Sequence, residues 1–208
     1  IAIEVQAPIM VFREWHRSRT QSYNEMSARY TVMPNLHYIP DAGRLIAQAT
    51  KNKQAASVGD QEFADIDAAL HHIGEEQDGI YALYEQMIAH GVPKEVARIN
   101  CPVSRYSKMR AKTDLRNWLH FLNLRMRPNA QWEIRQFANA MAEVIGELFP
   151  RTYALFEEYT LFAESFSRTE VKVLRKFFES RPGLDNLADL ASEVGMSEKH
   201  IKEFGLKL

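Results

Sequence analysis

Apolar and polar positions alternate at the start of the chain. Ile1, Ile3 and Val5 interleave with Ala2, Glu4 and Gln6, the period-two pattern of a half-buried strand. Pro8 then permits a short helix over Ile9 to Arg17, and the polar stretch after it reads as a loop. Residues 31 to 58, rich in Pro, Asn, Gly and Ser or Thr, read as loop with a short helix near Ala42 to Ala49. From Asp60 to His90 the positions Phe63, Ile66, Ala69, Leu70, Ile73, Ile80, Leu83, Tyr84 and Ile88 recur at helical spacing. Asp60 is the expected N-cap there and Gly91 the stop.

Pro93 starts a short helix through Arg98, and Val103 to Lys112 is a polar, strand-like stretch. Asp114 fits the N-cap of a helix whose apolar stripe is Leu115, Trp118, Leu119 and Leu122. On that helix Arg116, His120 and Asn123 fall on a second stripe, placed to address one ligand together. A long helix from Asn129 to Leu148 follows, ended by Pro150. The aromatics Trp132, Phe137, Phe149, Tyr153 and Phe156 read as core, and the pair His71-His72 as surface. These elements predict an α+β fold, a twisted antiparallel or mixed sheet packed with long helices. A chain that begins within a strand and without methionine is expected to have lost an upstream segment.

With 208 residues, 46% hydrophobic and 25% charged, the chain can bury one sizeable core. No run of about 18 apolar residues suggests a membrane span. Cys101 is the single cysteine, which excludes an internal disulfide, fits a reducing cytosol, and reads as a small buried hydrophobe rather than a nucleophile. The histidines lack metal-ligand spacing, so no metal site is expected.

Net charge is −1, but the two stretches Phe12 to Tyr30 and Arg98 to Arg127 hold 12 of the 26 basic residues and only 3 of the 27 acidic ones. Concentrated positive charge on an acidic body suits a small polyanion such as a nucleotide better than a nucleic acid. In RSRTQSYNEMSARY, Arg17, Arg19 and Arg29 surround Ser22, Asn24, Glu25 and Ser27. Guanidiniums this close repel unless an anion lies among them, and their planar forks match phosphate or carboxylate. Arginines on a solvated loop are the plainer alternative. No Gly-rich dinucleotide fingerprint and no Walker-type GK[ST] is present, so a bound dinucleotide would have to rest on arginines and a crevice.

Taken with these features, several ordered segments resemble the flavin-dependent thymidylate synthases. The family signature, Arg-His-Arg followed at fixed spacing by Ser, Asn-Glu, Ser and Arg, stands here as Arg17-Ser18-Arg19, Ser22, Asn24-Glu25, Ser27 and Arg29. APIMVFREW, HGVPKEVAR and DLRNWLHFLNLR…NAQWEIR also resemble family segments, and the likeness covers roughly residues 1 to 160. Two positions depart: Ser18 replaces the signature histidine, and Glu14 stands where glutamine is common.

The resemblance implies methylation of dUMP to dTMP, with FAD as cofactor and with methylenetetrahydrofolate and NADPH as co-substrates. It implies a dUMP site of Glu14, Glu25, Ser27, Ala28, Arg29, Arg98, Leu124 and Arg125. For FAD it implies Arg17, Ser18, Arg19, Asn24, Glu25, Asp114, Arg116 and His120, and at the chemistry Arg19, Glu25 and Arg125. Asp114 is also explained by its cap role alone. A cytoplasmic homotetramer with a flavin at each subunit junction is implied as well, with no membrane partner. The alternative is a nucleotide- or flavin-binding relative with altered or lost catalysis.

The family-like part is taken as residues 1 to 165 and a helical extension as 166 to 208. Within that extension LADLASEVGMSEKHIKEF (Leu187 to Phe204) resembles a helix-turn-helix, with Ala191, Gly195, Ser197 and Ile201 at the small, turn, cap and core positions. This raises a DNA-binding or regulatory role. Glu198 and Glu203 beside Lys199, His200 and Lys202 make a poor face for a phosphate backbone, and a packed helical appendage is the favoured reading.

Overall fold

The computed structural model describes residues 1–45, 65–179 and 196. Its three strands, β1 (Ala2–Pro8), β2 (Ser22–Glu25) and β3 (Tyr106–Lys112), form an antiparallel sheet in the order β1-β3-β2. Val5 lies opposite Met109, and Tyr23 opposite Ala111. The alternation expected at the N-terminus is realised. Val5, Ala7, Ser107, Met109 and Ala111 turn inward and are buried, while Glu4, Gln6, Lys108, Arg110 and Lys112 remain exposed. The arginine-rich segment is not wholly loop, because Ser22–Glu25 pairs with the free edge of β3. Four residues are too few for an alternation to be legible, and only Tyr23 contributes to the core.

Helix α1 (Ile9–Trp15) follows β1 directly. It buries Val11, Phe12 and Trp15 against α4 (Leu115–Arg125) and α5 (Trp132–Leu148). The Trp15 ring stacks on Phe121 with centroids 4.8 Å apart and meets Trp118 edge-on at 6.3 Å. Each indole N–H is satisfied: Trp15 donates to Gln21 Oε1 (3.0 Å) and Trp118 to the Ile1 carbonyl (3.3 Å). Asp114 caps α4 as expected, accepting the Asn117 N–H at 2.8 Å. Phe121, outside the predicted stripe, is fully buried with Trp118 and Leu122.

Helix α2 (Ile66–Ala89) is capped by Asp65, whose carboxylate accepts the Ala68 N–H at 3.1 Å. The expected cap Asp60 and the apolar Phe63 lie outside the described residues, as do residues 46–49 of the short helix expected after Ala42. Gly91, at φ +79°, supplies the left-handed turn that stops α2. The buried face of α2 is Gln77, Tyr81 and Tyr84, and Leu83, expected inside, is 46% exposed because it falls one position beyond that face. His71 and His72 are exposed and pair with Glu75 and Glu76 one turn on.

The tyrosines of α2 pin the loop before residue 36: Tyr81 Oη donates to the Met33 carbonyl and Tyr84 Oη accepts the Met33 N–H, both at 3.0 Å. Arg105, fully buried, donates to Asn35 Oδ1 (3.2 Å) and to the Gln77 carbonyl, and lies 4.5 Å from the Tyr81 ring centre.

Past α3 (Lys94–Ala97), α4 and α5, Pro150 does more than end a helix. It opens α6 (Pro150–Phe156) at the position where its missing N–H is harmless, and a π-helical turn at Glu157–Leu161 continues it. Phe137, Tyr153 and Phe156 join the core as expected. Phe149 is 38% exposed, and Trp132 packs instead under Arg44, 5.7 Å from its guanidinium.

The chain divides into compact units Ile1–Leu161 and Phe162–Leu208. The second contains α7 (Arg168–Glu179), opened by a capping box. There the Ser167 N–H donates to the Glu170 carboxylate at 2.6 Å, and the Glu170 N–H to Ser167 Oγ at 3.3 Å. The helix-turn-helix-like positions, Ala191, Gly195, Ser197 and Ile201, lie outside the described residues. No described helix is long and apolar enough to cross a membrane.

Because Phe121 carries the stack on Trp15, Phe121→Ala is expected to cost about 3–5 kcal/mol, read as a lower urea midpoint at an unchanged m-value.

Candidate functional site

Three cavities receive Arg13, Arg98, Arg116 and Arg125 with their neighbours. The first, about 430 Å³, is lined by Arg13, Glu25, Ala28, Glu95, Arg98, Cys101 and Ser107 among others. Here β2 contributes Glu25, the turn after it the buried Ala28, and the segment following α3 contributes Arg98. Arg29 stands beside this group and is already engaged, its Nε donating to Glu95 Oε2 at 3.3 Å. Ser27 Oγ accepts the Arg29 N–H at 3.3 Å. By contrast, the Arg13 and Arg98 guanidiniums have no hydrogen-bond or ion-pair partner among the described residues. Burial pushes the Cys101 thiol up, partly opposed by Arg105, so it remains protonated and is a poor nucleophile.

The second cavity, about 570 Å³, lies where α1, the end of α4 and the start of α5 meet, and is lined by Glu14, Leu124, Arg125, Asn129, Ala130 and Gln131. Arg125 is largely buried, with its side chain 13% exposed. Its Nη1 is bonded to Glu14 Oε1 and its Nη2 donates to the Glu14 carbonyl at 3.2 Å. Burial pushes the Tyr23 hydroxyl up to about 12 against the pull of Arg125. That hydroxyl donates to the Ser18 (2.7 Å) and Trp15 (3.1 Å) carbonyls, which fixes the turn between α1 and β2.

Arg116 and His120 line the third cavity, about 610 Å³, with Leu115, Leu119, Asn123, Thr152, Leu155, Phe156, Tyr159 and Thr160. The predicted second stripe of α4 therefore does face one space, and its opposite wall is α6 with the π-helical turn. Arg17 and Arg19 stand exposed on the turn that Tyr23 holds, without side-chain partners among the described residues. Ser18 Oγ and Gln21 Nε2, in the same turn, are buried and unpartnered. Asn24 lies exposed on β2, in register with Arg110. Asp114 spends both oxygens on Asn117 (2.8 and 2.9 Å), while Thr113 Oγ1 donates to the Thr20 carbonyl and ties the cap to the arginine turn.

The chain thus brings together Glu25, Ala28 and Arg98, then separately Glu14, Leu124 and Arg125, then Arg116 and His120. The donor set suits an anionic ligand rich in hydrogen-bonding groups: open guanidinium forks stand at Arg17, Arg19 and Arg116, and orphaned polar atoms at Ser18 and Gln21. Sequence reasoning missed Arg13, Glu95 and the Asn129–Gln131 wall. The signal for Arg13 was its place one helical turn before Arg17. For Glu95 there was none, because the pair with Arg29 spans 66 positions. Among the described residues no group of His, Cys, Asp or Glu is placed to hold a metal ion.

In the first turn of α5, buried Glu133 accepts from Arg44 Nε (2.9 Å) and Tyr38 Oη (3.0 Å). Burial pushes its carboxyl up, but the hydrogen bonds and charge of Arg44 outweigh this and leave it below the usual carboxylate range. A carboxyl depressed in the folded state stabilises above its unfolded pKa and loses that contribution as pH falls through the folded one. Denaturant unfolding from about pH 7 down to about pH 2 is expected to record this acid-side decline, and Glu133→Gln to flatten it.

The family model described as thymidylate synthase complementing protein matches residues 1–151. A flavin-dependent thymidylate synthase of Thermus thermophilus is 44% identical over 172 residues, 82% of this chain and 61% of that protein. One from Wolbachia pipientis wMel is 35% identical over 201 residues, 95% of this chain and 68% of that protein. The chain thus spans about three fifths of the length of the Thermus relative. The crystal structure of the UMP/dUMP methylase PolB from Streptomyces cacaoi, bound with 5-Br UMP, superposes with a TM-score of 0.69 at 32% identity. That match covers 77% of this chain and 74% of that one.

Proposed function

The chain belongs to the thymidylate synthase complementing protein family, that of the flavin-dependent thymidylate synthases, and from that premise we propose that it methylates dUMP to dTMP. The one-carbon donor is methylenetetrahydrofolate, the reductant NADPH and the cofactor FAD. The observation that carries this reading is the set of unpartnered guanidiniums from distant segments: Arg13, Arg98 and Arg116 line cavities of nucleotide size, and Arg17 and Arg19 stand exposed on the turn after α1.

In this proposal Arg98 and Arg29 receive the dUMP phosphate, with Ser27 and Ala28 beside them. Arg29 exchanges its exposed pair with Glu95 for the phosphate. Leu124 and Glu14 wall the pyrimidine. Arg125 donates to a pyrimidine carbonyl oxygen and stabilises negative charge there as C5 becomes nucleophilic, so no thiol nucleophile is needed. This agrees with a Cys101 thiol that burial keeps protonated. Glu25, in the first cavity, orients the nucleotide.

Arg17, Arg19, Asn24, Arg116 and His120 hold the flavin, and Ser18 offers a hydroxyl where the family carries an imidazole. When bound, the flavin supplies the redox chemistry of the transfer. Because the proposed nucleotide and flavin groups of one chain are spread over three cavities and an exposed turn, a homotetramer that sets cavities of different protomers together is the assembly proposed. The orphaned Ser18 hydroxyl favours one second reading, a flavin-binding relative with altered catalysis.

A dUMP-dependent NADPH oxidation assay with methylenetetrahydrofolate tests the proposal. Turnover is expected, and its absence in a yellow, flavin-loaded sample selects the second reading. Arg98→Ala is expected to weaken dUMP binding about tenfold or more without altering the melting curve, since Arg98 holds no side-chain partner among the described residues. Arg125→Lys should likewise weaken dUMP, because an ammonium cannot reproduce the fork. Unchanged dUMP affinity in either titration removes that residue from the clamp.

A further inference from the structure

The arginines near the proposed nucleotide site are not electrostatically equal. Arg98 carries an open fork, whereas Arg125 has both terminal nitrogens committed to Glu14, one to the carboxylate and one to the carbonyl. No other charged side chain among the described residues lines the cavity that Arg125 and Glu14 share. Its remaining wall is Leu124, Asn129, Ala130 and Gln131. Tyr23, whose hydroxyl feels the charge of Arg125, turns that hydroxyl to the Trp15 and Ser18 carbonyls. The cavity therefore sums to zero charge around a largely buried ion pair, with the Glu14 side chain 34% exposed and that of Arg125 13%.

Adding a phosphate here would place a second anion against Glu14 in a poorly solvated space, or would require Glu14 to be expelled from its pair. A neutral ring edge has neither problem. An imide offers an N–H to the carboxylate and a C=O to the guanidinium, whose Nε is buried without a partner, and neither charge has to leave its pair.

We infer that Glu14 is a built-in competitor for Arg125, which reserves this cavity for an uncharged N–H-bearing ring edge and turns phosphate away from it. The inference rests on the nucleotide reading only in naming the pyrimidine as that ring. The ion pair and its effect on anions stand without it.

Calorimetric titration of inorganic phosphate into the intact wild-type chain, E14Q and E14Q/R125Q tests the competition. E14Q keeps the shape of the side chain and frees Arg125. Its phosphate affinity is expected to rise about tenfold over wild type, and the double variant to lose that gain. Equal binding by all three proteins, each with a native melting curve, overturns the inference. A second arm compares dUMP with its N3-methyl analogue, which lacks the imide N–H. Wild type should bind the analogue about tenfold more weakly and E14A should bind the two alike. Discrimination that persists in E14A overturns Glu14 as the acceptor. If wild type binds no dUMP at all, the nucleotide reading fails while the phosphate arm still decides the competition.

Discussion

The stack of Trp15 on Phe121, closed edge-on by Trp118, is the contact on which the rest of the molecule depends. It locks the last residue of α1 onto the middle of α4, and the candidate ligand-binding groups outside β2, the turn after it and Arg98 depart from one of these helices or from the turn that follows α1. Arg13 and Glu14 precede Trp15 on α1, and Arg17 to Arg19 follow it. On α4, Arg116, His120 and Arg125 ride on the same rigid rod. Burying these rings relative to solvent is worth several kcal/mol together, at about 25 cal/mol per Å² of apolar surface. That is enough to hold charged neighbours at close quarters in spite of their repulsion.

Around this stack the charges separate into those already neutralised and those still open. Glu95 and Glu14 engage Arg29 and Arg125, while Arg13, Arg17, Arg19, Arg98 and Arg116 have no such partner among the described residues. An exposed pair such as Arg29–Glu95 is worth little and exchanges readily, whereas a largely buried one such as Arg125–Glu14 resists exchange. Position relative to solvent therefore sets what each arginine can recognise, although all five open forks and both closed ones are chemically the same group.

Much of the scaffold was legible because burial writes a period into the sequence. The β1 alternation, the Asp114 cap and the Gly91 stop each follow from a local rule that the packing left intact. Failures came where the deciding interaction was remote or short. The strand at Ser22–Glu25 exists because β3 offers it an edge more than eighty residues later. Phe121 is core because Trp15 reaches it, and Phe149 is partly exposed because the chain turns there into α6. At the site, the grouping of Arg116 with His120 could be read from helical spacing. The division of Glu25, Ala28 and Arg98 from Glu14, Leu124 and Arg125 could not, because adjacent residues of α1 face different cavities.

One loop residue shows how order can be encoded without a strand. Both main-chain polar groups of Met33 are met by phenolic oxygens of α2, one acting as donor and the other as acceptor. In a sheet such pairing is indifferent to side-chain identity, since any neighbouring backbone provides it. Here it belongs to two particular tyrosines, three positions apart on one helix. The path of this loop is thus inherited through its partner's sequence rather than its own, and drift in α2 would be felt first as a change in the loop.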